Sequence, residues 1–275
     1  MLNTRPKSIK QKIKRVIIVL LSLFFMVGTL LYFFQEKLIF LPTVLPQDYN
    51  YQFNYPFEEL FLHTDETTVI NALHFKNKRP KGVILYFHGN AGDLSRWGTI
   101  TEFFVEKKYD VLVMDYRTYG KSTGVLSEHA LNSDAQYCYN YLKAHYDENE
   151  ITVYGRSLGT GIASLMASKN NPKQLILETP YYSMENVVKS RFPLFSLNFL
   201  LKYKFPTYQY IKSTSCPILM IHGTDDKVIP FNSAEKLFSS ALPTSRTTFI
   251  RIDGGSHNNL IDYQEFHRII RSVLP

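Results

Sequence analysis

The sequence predicts an α/β chain with a mostly parallel central sheet, helices on both faces and an apolar helix near its N-terminus. Three observations predict it. From Glu58 onward, short β-branched or apolar runs alternate with longer helical patterns, the signature of crossover connections between parallel strands. One such run, Gly82–His88 (GVILYFH), is apolar throughout, as expected of a strand buried on both faces. Upstream, Val16–Phe34 holds nineteen residues without a charge.

That apolar run reaches roughly 28 Å as a helix, close to the thickness of a bilayer's hydrocarbon core. It ends in Leu-Tyr-Phe-Phe-Gln-Glu-Lys, with none of the small-residue sites at which signal peptides are cut. An uncleaved anchor over 16–36 is therefore expected, preceded by a basic tail (1–15) and followed by a juxtamembrane linker (37–57). The net charge of +7 belongs to the tail. Six Lys or Arg fall in the first fifteen residues, and without them 25 basic residues face 24 acidic ones. A near-neutral remainder offers no basic face for phosphates, so no nucleic-acid partner is expected. Because cytoplasmic flanks collect Lys and Arg, the N-terminus is expected inside and the rest of the chain on the non-cytoplasmic side.

The remaining domain, 58–275, reads as follows. Glu58–His63 and Val69–Phe75 form an antiparallel edge pair, and Gly82–His88 leads to a helix over Leu94–Lys107. Asp110–Tyr116 is a strand, His129–Tyr146 a helix, Ile151–Tyr154 a strand and Leu158–Lys169 a helix. Strands Gln174–Glu178, Pro217–His222 and Thr247–Ile252 follow, with helices over Ser233–Ser240 and Leu260–Val273. The alternation breaks at 181–213, an insert rich in Phe, Tyr, Leu and Pro. It reads as a small lid or acyl-binding wall, or as an extra packed helix. Cys138 and Cys216 read as small buried apolar residues, with a disulfide between them as the alternative.

Gly155-Arg156-Ser157-Leu158-Gly159 directly follows a strand and directly precedes a helix. A serine on so sharp a turn projects above the sheet edge, and small flanking residues are needed because side chains there would strike backbone. Ser157 is thus the candidate nucleophile. An alcohol needs a base, and the base needs an orienting acid. In this arrangement they follow in the order serine, acid, histidine at the ends of later strands.

The loop His222-Gly223-Thr224-Asp225-Asp226 supplies two aspartates. Asp226 is preferred on spacing, with Asp225 as the alternative or as a turn-stabilising side chain. His257, in the loop Asp253–Asn258, is the candidate base, whereas His267 falls inside the last helix. Backbone N–H groups of Asn90 and Leu158 are the candidate oxyanion donors. His88, His222 and Asp115 are read as structural, and no helical H-x-x-x-H pair suggests a metal. No cofactor is expected.

FQEKLIFLP (34–42), FHGNAG (87–92), DYRTYGKSTG (115–124), YGRSLGTG (154–161), HGTDDKVIP and GGSHNNL together resemble the membrane-anchored α/β-hydrolase-domain serine hydrolases, a group that includes protein depalmitoylases. The resemblance implies an α/β-hydrolase fold and the same assignments, Ser157, Asp226 and His257 with Asn90 and Leu158. It implies hydrolysis of carboxylic esters or thioesters of acyl or other apolar groups through an acyl-enzyme. A serine peptidase of the same fold and a catalytically silent membrane-tethered binding protein are the rival readings. Thr118 departs from the group's usual D-Y-R-G-Y-G. The N-terminus carries no cysteine cluster for palmitoylation, which weakens transfer of the depalmitoylase role. On this reading Asp226→Asn abolishes ester turnover and Asp225→Asn does not. Steady-state rates of both variants test the choice, and the reverse pattern would reassign the acid.

Overall fold

The computed structural model describes residues 8–192, 200–241 and 246–275. Helix α1 covers Ile9–Ile39, and β1 (Leu41–Pro42), β2 (Phe57–His63), β3 (Val69–Phe75), β4 (Val83–Phe87) and β5 (Ala91–Gly92) follow. Next come α2 (Leu94–Glu106), β6 (Asp110–Met114), α3 (Glu128–Lys143), β7 (Ile151–Arg156), α4 (Gly159–Lys169) and β8 (Gln174–Glu178). The chain closes with α5 (Met184–Arg191), α6 (Thr207–Tyr210), β9 (Ile218–Gly223), α7 (Phe231–Ala241), β10 (Thr247–Ile252) and α8 (Gln264–Val273).

Eight strands form one sheet in the order β10-β9-β8-β7-β4-β6-β3-β2. All pairs are parallel except β2 with β3 and β3 with β6. Of the expected edge pair only β2 is an edge, opposite β10; β3 lies one strand further in than the sequence suggested. Alternation along the strands divides the core between two faces. Val83, Leu85 and Phe87 meet Leu131, Ile162 and Leu237 on one side. Ile84 and Tyr86 meet Trp97, Phe104 and Phe266 on the other. Burial of both faces accounts for the unbroken apolar run of β4.

Helix α1 is longer than the apolar run predicts. Ser8 caps it by accepting from the Gln11 N–H, and the Lys and Gln residues of the expected tail are good helix formers, so the helix runs through them. At its other end it passes the expected limit at 36 and stops where Phe40 turns extended. Ile39 and Phe40 are buried in the core, and Leu41–Pro42 pairs with Ala91–Gly92. These residues are packed structure where a linker was expected. Among the described residues, α1 is the one helix long and apolar enough to cross a membrane.

The insert at 181–213 contains α5 and α6, and its residues 193–199 lie outside the described residues. The last helix is divided: a short 3-10 turn at Leu260–Asp262 precedes α8, and extended Tyr263 separates them. Cys138 and Cys216 are both buried and free.

Thr118 occupies the third position of a turn closed by the Tyr119 N–H donating to the Tyr116 carbonyl (2.9 Å). Its φ of 74° lies where glycine is favoured and a β-branched residue is strained. The turn thus explains why the resembling group carries glycine here. Relief of that strain outweighs the greater freedom of an unfolded glycine, so Thr118→Gly is expected to raise unfolding stability by about 1 kcal/mol, measured by denaturant titration.

Candidate active site

Four loops at the carboxyl edge of the sheet build the site. The first is the turn from β7 into α4. Ser157 sits there with φ of 52°, and the Thr160 N–H and hydroxyl both donate to its carbonyl (2.9 and 2.7 Å). The turn closes only because its flanks lack side chains. A Cβ on Gly159 would overlap the Phe87 carbonyl, and one on Gly155 would lie 2.6 Å from the Gly159 carbonyl oxygen.

The second loop follows β9. Of the two aspartates there, Asp225 is exposed and Asp226 is buried. Asp226 Oδ1 accepts from the backbone N–H groups of Val228 and Ile229 (2.8 and 2.9 Å). Its Oδ2 lies 2.7 Å from His257 Nδ1 and 3.3 Å from His222 Nε2. His222 Nε2 also donates to the Ile229 carbonyl (3.0 Å), holding the loop closed. Burial alone would push the Asp226 carboxyl upward. Hydrogen bonds from His222, His257 and the Ile229 N–H overcome it and hold the group well below its usual 3.8.

The third loop, after β10, carries His257. It docks on the second through the Asp225 N–H donating to Gly255 (2.9 Å) and the Gly254 N–H donating to Thr224 Oγ1 (2.8 Å). His257 Nε2 lies 2.8 Å from Ser157 Oγ. A carboxylate only accepts, so Nδ1 carries the proton toward Asp226 and Nε2 is left with a lone pair for the Ser157 hydroxyl. Ser157, His257 and Asp226 are therefore brought together in one hydrogen-bonded chain. His267 is apart from it, donating from Nε2 to Ile261 (2.8 Å).

The fourth loop follows β4, and every carbonyl of His88, Gly89 and Asn90 is engaged. Tyr116 donates to His88 (2.7 Å), His88 Nδ1 to Gly89 (2.6 Å) and Tyr119 to Asn90 (2.6 Å). In a trans peptide the C=O and N–H point oppositely. Fixing the Gly89 carbonyl therefore turns the Asn90 N–H away from His88. Asn90, Ser157 and Leu158 all line one cavity of about 420 Å³, a volume suited to a small or single-chain ligand. Tyr181, Met184, Val187 and Ile229 make much of its wall. Beneath the loop, His88 stacks on Trp97 with Nε2 3.4 Å from Asp115 Oδ1. Burial raises the Asp115 carboxyl, opposed by His88.

Sequence reasoning missed the contribution of α1, whose Leu31, Gln35, Leu38 and Ile39 also line the cavity. Their helical spacing fits a membrane span equally well, and Gln35, just past the end of the uncharged run, is the one residue that marks the difference.

A parallel sheet with a serine on the strand-to-helix turn, an acid after β9 and a histidine after β10 defines the α/β-hydrolase class. The sequence model of the family described as "Serine aminopeptidase, S33" matches residues 78–214. The chain is 33% identical to the uncharacterized protein R595 of Acanthamoeba polyphaga mimivirus, over 73% of this chain and 75% of that protein. It is 31% identical to the lysophosphatidylserine lipase ABHD12 of Gallus gallus, over 96% of this chain and 84% of the relative. The fold is similar to that of the Pyrococcus furiosus esterase Pf2001, with a TM-score of 0.66 at 17% identity, covering 85% of this chain and 96% of the esterase. The chain belongs to the α/β-hydrolase family of serine hydrolases that includes the ABHD12 lipase.

A carboxylate held below its ordinary pKa adds stability that is complete above that value and lost as pH falls toward the folded one. Asp226→Asn removes this contribution. The unfolding free energy of the native chain is therefore expected to fall more steeply than the variant's as pH drops below about 4, measured by denaturant titration across that range.

Proposed function

We propose that the domain at 58–275 hydrolyses carboxylic esters or thioesters of acyl or other apolar groups, through an acyl-enzyme on Ser157. The hydrogen-bonded chain of Ser157, His257 and Asp226, opening into an apolar cavity, carries this reading. Ser157 Oγ attacks the substrate carbonyl while its proton passes to His257 Nε2. Asp226 fixes the imidazole tautomer and stabilises the imidazolium that forms. The oxyanion is held by the N–H groups of Asn90 and Leu158, neither of which donates to another group among the described residues. Collapse expels the alcohol or thiol, which takes the proton from His257. Water activated by the same histidine then releases the acid.

A peptidase reading is favoured by the description of the matching family, but a peptidase that grips a free amine needs an unspent carboxylate. Glu178 accepts from the Tyr154 hydroxyl (2.6 Å) and pairs with buried Arg156 (3.2 Å), so it is not available, and Glu185 of α5 is not among the residues lining the cavity. The lipase name of the ABHD12 relatives supports a lipid-like ester as substrate. We place α1 across a bilayer with the Lys- and Arg-rich end cytoplasmic, and the catalytic domain on the other side.

A fluorophosphonate probe is expected to label Ser157 in the folded protein. Ser157→Ala should lose labelling and lower kcat/KM on p-nitrophenyl esters by about a thousandfold or more. Folded wild-type protein that resists the probe would sink the enzyme reading. Turnover of an aminoacyl-anilide in preference to esters would favour the peptidase.

A further inference from the structure

Helix α1 does more than tether the domain. Gln35 is 6% exposed at the end of an apolar helix, where an unpaired amide is costly. It is fully engaged: its Nε2 donates to the Leu200 carbonyl (3.0 Å) and its Oε1 accepts from the Lys202 N–H (2.8 Å). Tyr203 donates to Glu36 (3.1 Å) and packs edge-on against Phe40 at 4.8 Å. The last turns of α1 are thereby fixed against the insert. Beyond them, the Leu41 N–H donates to the Asn90 carbonyl (2.8 Å), which ties the helix to the candidate oxyanion loop.

Docked in this way, α1 presents Leu31, Gln35, Leu38 and Ile39 to the cavity that holds Ser157, facing Met184, Val187 and Val188 of α5. The uncharged run ends at Phe34, so the cavity straddles the level where hydrocarbon gives way to headgroups. Leu38, Phe192 and Val228 line it and remain 59%, 40% and 42% exposed. Such an apolar rim fits contact with acyl chains.

Resting on the hydrolase reading above, we propose that α1 is the acyl-selecting wall of the active site. The acyl chain of the ester enters from the bilayer between α1 and α5. The full-length protein in liposomes tests this with p-nitrophenyl acetate and p-nitrophenyl decanoate. Leu31→Trp, which fills the cavity, is expected to lower the decanoate-to-acetate ratio of kcat/KM by about tenfold or more. Leu31→Ala, which enlarges it, should shift preference toward chains longer than decanoate. Leu30→Trp, on the exposed side of the helix at 49% exposure, should leave the ratio within about twofold of wild type.

Fluorophosphonate labelling of Ser157 reports whether each variant is folded. Variants at 31 that label normally yet leave the chain-length profile unmoved overturn the inference, as does an equal effect of Leu30→Trp. Decanoate turnover should follow its mole fraction in the bilayer; dependence on aqueous concentration alone would also overturn it. A wild type that hydrolyses acetate but not decanoate removes this inference and leaves the hydrolase reading standing. One that neither labels nor turns over either ester removes both.

Discussion

The first turn of α4 lies against the end of β4 so closely that Gly159 has no room for a methyl group beside the Phe87 and His88 carbonyls. Most of the site depends on this contact. It holds the β7–α4 turn against the loop that follows β4, and so fixes Ser157 and the Asn90 peptide relative to each other. The backbone strain at Ser157 persists because the surroundings over-determine it: Thr160 clamps its carbonyl, and the Ser157 N–H donates to Glu178 (2.9 Å). A looser turn would let the hydroxyl swing by an ångström, enough to lose alignment with His257.

Around this contact, the buried charges of Asp226 and Arg156 are met by partners. Asp226 receives two backbone N–H groups and two imidazoles, which makes its ionised form the favoured one despite burial. Arg156 is 6% exposed and pairs with Glu178, and its guanidinium lies 5.6 Å from the Trp97 ring centroid. Trp97 in turn donates to Ala91 (2.9 Å) and stacks on His88. The nucleophile turn and the Asn90 loop thus share one indole, so neither can shift without disturbing the other's support. Such networks are worth more for fixing geometry than for raw stability.

The parallel sheet, and the three residues that the structure brings into one hydrogen-bonded chain, were legible because each carries a local signature. β4 is apolar on both faces, Ser157 is bracketed by glycines at a strand end, and His257 follows the last strand. Val69–Phe75, Gln174–Glu178 and Thr247–Ile252 match their predicted bounds. The division of the last helix at Tyr263 was not legible; there the Tyr263 hydroxyl donates to the Gly254 carbonyl (2.8 Å), a contact across a loop that no local pattern announces. Nor was the role of α1. Its apolar run satisfies a membrane and a cavity wall equally well, and periodicity cannot tell two apolar environments apart. Only Gln35 distinguishes them, and two of its three partners, Leu200 and Lys202, lie more than 160 residues away.

That distance has a consequence for how anchor and chemistry are joined. A flexible tether would leave the domain free to tumble above the bilayer, and a lipid ester would have to leave the membrane to be cleaved, losing about 0.8 kcal/mol for each methylene exposed to water. A helix docked through Gln35 and Glu36, and continued into strand pairing at Leu41–Pro42 with Ala91–Gly92, would, on the proposed placement across a bilayer, hold the site at the depth set by its own apolar run. The same backbone leads within two residues from Ile39, which lines the cavity, to Leu41, which bonds Asn90. On the proposed placement of α1 across a bilayer, the backbone bond from Leu41 to the Asn90 carbonyl links the tilt of the helix to the candidate oxyanion loop.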